Sequence, residues 1–248
     1  MPVIEVYLLP TAGLDAAAVA PWCVVLDAAE RARAARFAME RARVGFIAAP
    51  VLARLELAAA LGIAPAALAF VAGSHGKPEA RLAGRAAGIS FSLSHAEGMV
   101  GVALAVRPDL PLGFDLERRT RRIRLEVAQR FFAPREVADL REVAEARRAE
   151  RLVRLWTLKE AFVKATGEGI AAGLAGFGFA GRPPRLFLAP PREAAGEREA
   201  AAWRFAQRVV AGCVAAVGAR LDGEGATVRW HRRSAAGLER RLGRYARG

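Results

Sequence analysis

The chain has 248 residues, with 38 Lys and Arg against 25 Asp and Glu and a formal charge of +13. That length supports one large domain or two small ones, and the positive balance points to an acidic partner: a nucleic acid, an acidic protein or a phosphorylated small molecule. The two isolated cysteines, Cys23 and Cys213, offer neither a disulfide framework nor metal-ligand spacing; without a signal-peptide pattern or an apolar run approaching about 20 residues, the expectation is a cytoplasmic chain with no membrane span.

Val3 to Leu9 reads as a strand closed by Pro10. The apolar patch Pro21 to Leu26 leads into a helix, with Asp27 as N-cap and Glu30 at the capping-box spacing. Arg31, Arg33 and Arg36 on that helix suit a solvated face or a phosphate-binding edge. A second helix spans about Glu40 to Leu61, where Pro50 is expected to break or kink it and Gly62 to end it. Leu68 to Ala72 is a short strand; Gly73-Ser74-His75-Gly76-Lys77-Pro78 is a turn-rich loop, and Arg81 to Gly88 is more loop. Ile89 to His95 alternates with period two and Val100 to Val106 is apolar. Together they predict a hairpin whose turn holds His95 to Gly98.

Pro108 to Pro111 is a linker, followed by a strand over Leu112 to Glu117 and a basic connector, Arg118 to Arg124. Helices follow over Val127 to Phe132, from Ala133-Pro134-Arg135-Glu136 onward, and over Leu152 to Thr166. The charge-dense stretch Glu136 to Arg151 is expected to face solvent. Beyond Gly169 come short strands at Leu186–Leu188, Trp203–Val210, Cys213–Val217 and Thr227–Trp230, with a loop over Ala189 to Ala200. The recurring order predicts an α/β (α+β) fold of two pseudo-symmetric subdomains, helices on small antiparallel sheets, with the active site in the cleft between them. The halves are 1–108 and 109–230, with a basic tail over 231–248.

The chemistry concentrates in two places. On a strand, Asp115 and Glu117 of Gly113-Phe114-Asp115-Leu116-Glu117 share a face. On a helix, Trp156, Glu160 and Lys164 share another at i, i+4, i+8. Taken alone, the helix stretch is an ordinary surface ion pair. With the strand, three carboxylates can converge on a hard cation such as Mg²⁺, completed by water and substrate phosphates. Only three of the basic residues are lysine: Lys159 and Lys164 on that helix, and Lys77 in the Gly73 to Pro78 loop. Lys77, His95 and Lys164 would surround further phosphates, and Glu160 could take a proton from an attacking hydroxyl.

Five ordered pieces resemble the Sfp-type 4'-phosphopantetheinyl transferase family: Gly76-Lys77-Pro78; Phe91-Ser92-Leu93-Ser94-His95; Gly113 to Glu117; Arg130-Phe131-Phe132 with Glu136; and Trp156-x-x-Lys159-Glu160-x-x-x-Lys164. The resemblance runs from roughly residue 27 to 180. It implies transfer of the 4'-phosphopantetheine arm of coenzyme A to a serine hydroxyl of an apo carrier protein, with Mg²⁺, releasing adenosine 3',5'-bisphosphate. It implies Asp115, Glu117 and Glu160 as metal ligands and Glu160 and Lys159 as catalytic residues. Lys77, Ser94, His95, Asp115, Lys164 and Arg33 would bind coenzyme A. An acidic carrier would meet the region of Phe131, Phe132 and Glu136, steered by the positive charge, and the protein would be a monomer. Met39, Phe46 and Pro50 depart from the polar residues that relatives often carry near those positions; Arg31, Arg33 or Arg36 would substitute. Two other readings are a non-catalytic module that binds coenzyme A or a carrier, and nucleic-acid binding. The second finds no aromatic–basic interleaving, helix-turn-helix or zinc pattern.

Overall fold

The computed structural model describes residues 1–73, 76–169, 173–192 and 196–245. The chain divides into two units. One is Val3–Asp109 with Val228–Gly248; the other is Leu110–Thr227 with Met1–Pro2.

The first unit contains β1 (Val3–Pro10), α1 (Ala16–Val19), α2 (Ala28–Ala35), α3 (Glu40–Leu61), β2 (Leu68–Ala72), β3 (Pro78–Leu82), β4 (Arg85–Ala86), β5 (Ser90–Ala96) and β6 (Met99–Ala105). The second contains β7 (Leu112–Arg118), α4 (Leu125–Phe131), α5 (Pro134–Glu142), α6 (Glu145–Thr166), β8 (Phe177–Ala180), β9 (Arg185–Leu188), α7 (Gly196–Ala201), β10 (Trp203–Val210) and β11 (Cys213–Arg220). The chain then returns to the first unit as β12 (Thr227–Arg232) and α8 (Ala235–Tyr245).

The units repeat one topology. In each, an opening strand is followed by a 22-residue helix, a small hairpin, and a second hairpin whose last strand pairs back to the opener. The sheets run β12-β1-β6-β5 and β10-β11-β7, and all the pairings for which a register is described are antiparallel. Both long helices end on a left-handed glycine, Gly62 and Gly167, which has no Cβ to strain there. Each long helix also buries one cation, the same number of residues before its closing glycine. Arg54 meets Glu30 at 2.9 Å and stacks on Phe70 at 4.4 Å. Lys159 meets Glu136 at 2.7 Å and lies 4.5 Å from the Phe177 ring centre. Glu30 and Glu136 are both the N3 glutamates of their own helices, accepting the N-cap backbone N–H. A charge buried twice in the same topological position is a folding device rather than a surface habit.

The cores follow from the apolar faces. Val44, Ile47, Val51, Leu52 and Leu55 of α3 pack with Leu9, Val100, Val102 and Leu104 of the sheet. In the other unit Phe162, Phe177, Phe179, Trp203 and Phe205 form one aromatic cluster.

Several expectations are corrected. Pro50 does not break α3, which runs through it; burial of Ile47, Val51 and Leu52 on either side outweighs one missing N–H. Within the described residues α3 is the one helix long and apolar enough to cross a membrane by length and composition, yet most of it is buried in the core. The expected loop at 81–88 carries part of the β2-β3-β4 sheet, and the expected loop at 189–200 contains the start of α7. The long helix α6 begins at Glu145, well before Leu152. Residues 231–245 are not a separate tail. β12 joins the sheet of the first unit, and Leu238 and Leu242 of α8 are buried in its core. The buried Glu56 carboxylate accepts from Arg233 at 2.8 Å and Arg241 at 2.5 Å, which ties that segment down.

Candidate active site

The strand β7 and the helix α6 lie against each other, and one glycine permits it. A Cβ on Gly113 would overlap the Ala161 carbonyl oxygen and lie 2.5 Å from the Ala165 nitrogen. Strand alternation then turns Asp115 and Glu117 toward the same helix. Asp115 is 4% exposed, and its Oδ1 accepts from the Lys164 ammonium at 2.6 Å. Glu117 pairs with the Arg121 guanidinium, which also stacks 5.1 Å from the Trp156 ring centre. Glu160, one helical turn from Lys164 and Trp156, is half-buried. Burial, and then the nearby Asp115 carboxylate, raise its pKa; Lys164 and Arg121 oppose that rise.

Asp115, Glu117 and Glu160 were expected as one ligand set. Among the described residues no three Asp, Glu, His or Cys side chains are grouped to hold a metal. Like charges repel, and Lys164 and Arg121 draw the Asp115 and Glu117 carboxylates to themselves. The donor chemistry nevertheless fits a hard divalent cation. Three carboxylates stand on two packed elements, and Asp115 and Glu160 are close enough to perturb each other.

Lys159 is not placed for catalysis. It is fully buried, with its Nζ donating to the carbonyls of Leu174 at 2.8 Å and Phe177 at 2.5 Å and paired with Glu136. No donor remains for a substrate. Burial lowers the Lys159 pKa and raises that of Glu136, while their mutual attraction opposes both shifts. Glu136 also accepts from the Ala133 and Phe179 N–H groups at 3.2 and 2.9 Å. With Glu136 at 1% and Phe132 at 2% exposure, neither can meet a carrier protein. In that region Phe131 is partly exposed, with Arg130 stacked on it at 5.3 Å. The Lys159–Glu136 pair escaped sequence reading, although the capping-box spacing before Glu136 and its match at Glu30 were visible signals.

The remaining expected residues lie in the first unit. Lys77 is partly buried beside Gly76, which adopts a positive φ, and burial lowers its pKa; Ser74 and His75 of that loop fall outside the described residues. Ser94 and His95 were expected to face one anion together. Neighbours on β5 point to opposite faces, so Ser94 is buried and His95 exposed. Arg33 is exposed on α2 and stacks on Phe46 at 5.1 Å, while Met39 is 72% exposed. Counted from the hairpin turns, Tyr7 and Leu9 of β1 hold the positions that Asp115 and Glu117 hold in β7. Only the second unit therefore carries the carboxylates.

A carboxylate pair and an ammonium stand beside a glutamate whose pKa is raised. Residues 111–216 match the model of the 4'-phosphopantetheinyl transferase superfamily. The chain is 37% identical over 147 residues to the 4'-phosphopantetheinyl transferase HetI of Nostoc sp., covering 59% of this chain and 61% of that protein. It is 32% identical over 175 residues to the slr0495 protein of Synechocystis sp., whose assignment to the same transferases is itself provisional, covering 70% and 69%. To the 4'-phosphopantetheinyl transferase Sfp of Bacillus subtilis it is 34% identical over 87 residues, covering 35% and 37%. The chain belongs to the 4'-phosphopantetheinyl transferase superfamily. It spans less than two thirds of the length of HetI and of Sfp.

Proposed function

We propose that this chain moves the 4'-phosphopantetheine arm of coenzyme A onto a serine hydroxyl of an apo carrier protein and releases adenosine 3',5'-bisphosphate. The observation that carries this is the Lys164–Asp115 pair with Glu160 beside it on the β7–α6 contact. Coenzyme A is the co-substrate. The serine oxygen attacks the phosphorus that bears pantetheine; the new O–P bond forms as the bond to the adenosine bisphosphate oxygen breaks. Glu160 is the base that takes the serine proton, and its raised pKa makes it a better acceptor than an exposed carboxylate. Lys164 offsets the negative charge that gathers on the leaving bisphosphate. Asp115 holds the Lys164 ammonium in place. Asp115, Glu117 and Glu160 would hold Mg²⁺, which when bound supplies charge neutralisation and polarises phosphate oxygens.

Lys77, Ser94, His95 and Arg33 are the proposed contacts to coenzyme A in the first unit. The acidic carrier would be steered by the +13 charge and would meet the Arg130 and Phe131 surface, not Phe132 or Glu136. With this reading go the expectations of a cytoplasmic monomer. Mass spectrometry of several apo carriers incubated with the chain, coenzyme A and Mg²⁺ tests it; a carrier must gain one phosphopantetheine arm. If coenzyme A binds in calorimetry while no carrier gains mass, the chain is a binding module instead.

A further inference from the structure

The first turns of α6 carry Arg147, Arg151 and Arg154 at i, i+4 and i+7, one stripe on one helix face. Arg151 sits about half a turn around the helix from Glu160 and more than two turns before it, so the stripe is set apart from Glu160 along the helix. The β8–β9 turn brings Arg182 to the same place. It does so through Gly181, whose positive φ closes that turn. These four arginines line one cavity of about 570 Å³.

The cavity is unevenly charged. Glu150 is the acid in its wall, and both of its neighbouring contacts are taken up locally: Arg154 clamps it through Nε at 3.0 Å and Nη2 at 2.9 Å. Arg154 is further fixed by Gln207, which accepts from its Nη1 at 3.3 Å and donates to its backbone carbonyl at 2.8 Å. The side chains of Arg147, Arg151 and Arg182 make no hydrogen bond or ion pair among the described residues. Arg151 is partly buried there, and burial lowers its pKa; Asp139 and Glu136 oppose that shift, while Arg182 and Arg154 add to it. Exposed arginines are expected throughout a chain this basic. What sets these apart is that guanidinium groups of one sign converge on a concavity, one is partly desolvated, and another is held rigid. Arg154 is offset by Glu150, but Arg147 and Arg182 bring two further positive charges to the same concavity, and an anion there would relieve their repulsion.

We propose that Arg147, Arg151, Arg154 and Arg182 form a binding site for a small polyvalent phosphate-bearing anion. Guanidinium forks match phosphate oxygens two at a time, so a pyrophosphate group would engage several of them together. The lining includes Val143 and Gly181 but no aromatic ring among the described residues, so the site reads phosphate and not a base.

Titration calorimetry of the whole chain tests this, with inorganic pyrophosphate as one probe and adenosine 3',5'-bisphosphate as the other. The background is Lys77→Ala with Lys164→Ala, which removes the two lysine contacts proposed for the phosphates of coenzyme A. Pyrophosphate should still bind in that background. It should bind at least tenfold more weakly once Arg147→Ala, Arg151→Ala and Arg182→Ala are added, and more weakly in high salt. The double variant Arg147→Ala, Arg182→Ala changes only exposed side chains; it must show the same direction of loss with an unchanged melting curve. The nucleotide should bind no tighter than pyrophosphate. The proposal is overturned if pyrophosphate binding vanishes in the lysine background, if it survives the arginine changes, or if an acidic polypeptide such as polyglutamate binds there while pyrophosphate does not.

Discussion

Replacing Lys159 by methionine is the sharpest test of what the buried pair does. Methionine keeps most of the stem but deletes the ammonium. Glu136 then faces a dry site with only the Ala133 and Phe179 N–H groups, and the Leu174 and Phe177 carbonyls lose their shared donor. Removing one partner of a buried ion pair costs about 3–5 kcal/mol. Each stranded carbonyl adds to this by up to about 1–3 kcal/mol. Glu136 can relieve part of the cost by taking up a proton, the direction in which burial already pushes it. The expected loss is therefore at least about 3 kcal/mol. The twin pair gives an internal control: Arg54→Met should cost less, because the Glu30 side chain is 17% exposed where that of Glu136 is fully buried. Denaturant unfolding followed by tryptophan fluorescence reads the change, since Trp156 and Trp203 both pack on the core of the same unit as Lys159. Adding Glu136→Gln to Lys159→Met should recover at least about 1 kcal/mol, because a neutral amide no longer leaves a charge stranded. An unchanged midpoint for Lys159→Met, or a double variant no better than the single, refutes the account.

Other outcomes follow from the same contacts. Gly113→Ala pushes a methyl group into the α6 backbone and should destabilise the second unit by about 3 kcal/mol or more; a melting temperature within a degree of the parent counts against the close approach. Pro50→Ala restores an N–H donor inside α3 and should stabilise by about 1–3 kcal/mol, read in the same unfolding assay. Glu56→Ala frees Arg233 and Arg241 and should expose β12 and α8 to limited proteolysis; an unchanged cleavage pattern contradicts the tie. Burial raises the Cys213 pKa, with Arg118 opposing. A thiol raised in the folded state contributes stability below its unfolded pKa of about 8.5, and loses it as pH climbs toward the folded value. Stability should therefore fall above about pH 8.5, less so in Cys213→Ala, and native Cys213 should resist iodoacetamide at pH 8 until the chain is unfolded.

Local signals were enough to reveal much of the architecture from the chain alone. Period-two alternation marked β5, and a strand-like run closed by Pro10 marked β1; glycines closed α3 and α6; and the spacing of Trp156, Glu160 and Lys164 put their side chains on one helix face. These are properties of neighbours within a few residues, which backbone geometry dictates. The partner of each charge was a different matter, because it depends on what a distant segment brings alongside. The family resemblance made Lys159 a catalytic candidate next to Glu160, yet one residue along a helix is a 100° rotation, and that turn points its ammonium into the core toward Glu136. Phe132 and Glu136 looked like a docking surface for the same reason, since burial cannot be seen from charge or aromaticity. The C-terminal basic segment read as a tail until tertiary packing set Arg233 and Arg241 on Glu56, more than a hundred residues earlier in the chain. Proximity along the chain decided the elements; only the fold, which brings remote groups into a shared dry environment, decided which charges are structural and which remain available for chemistry.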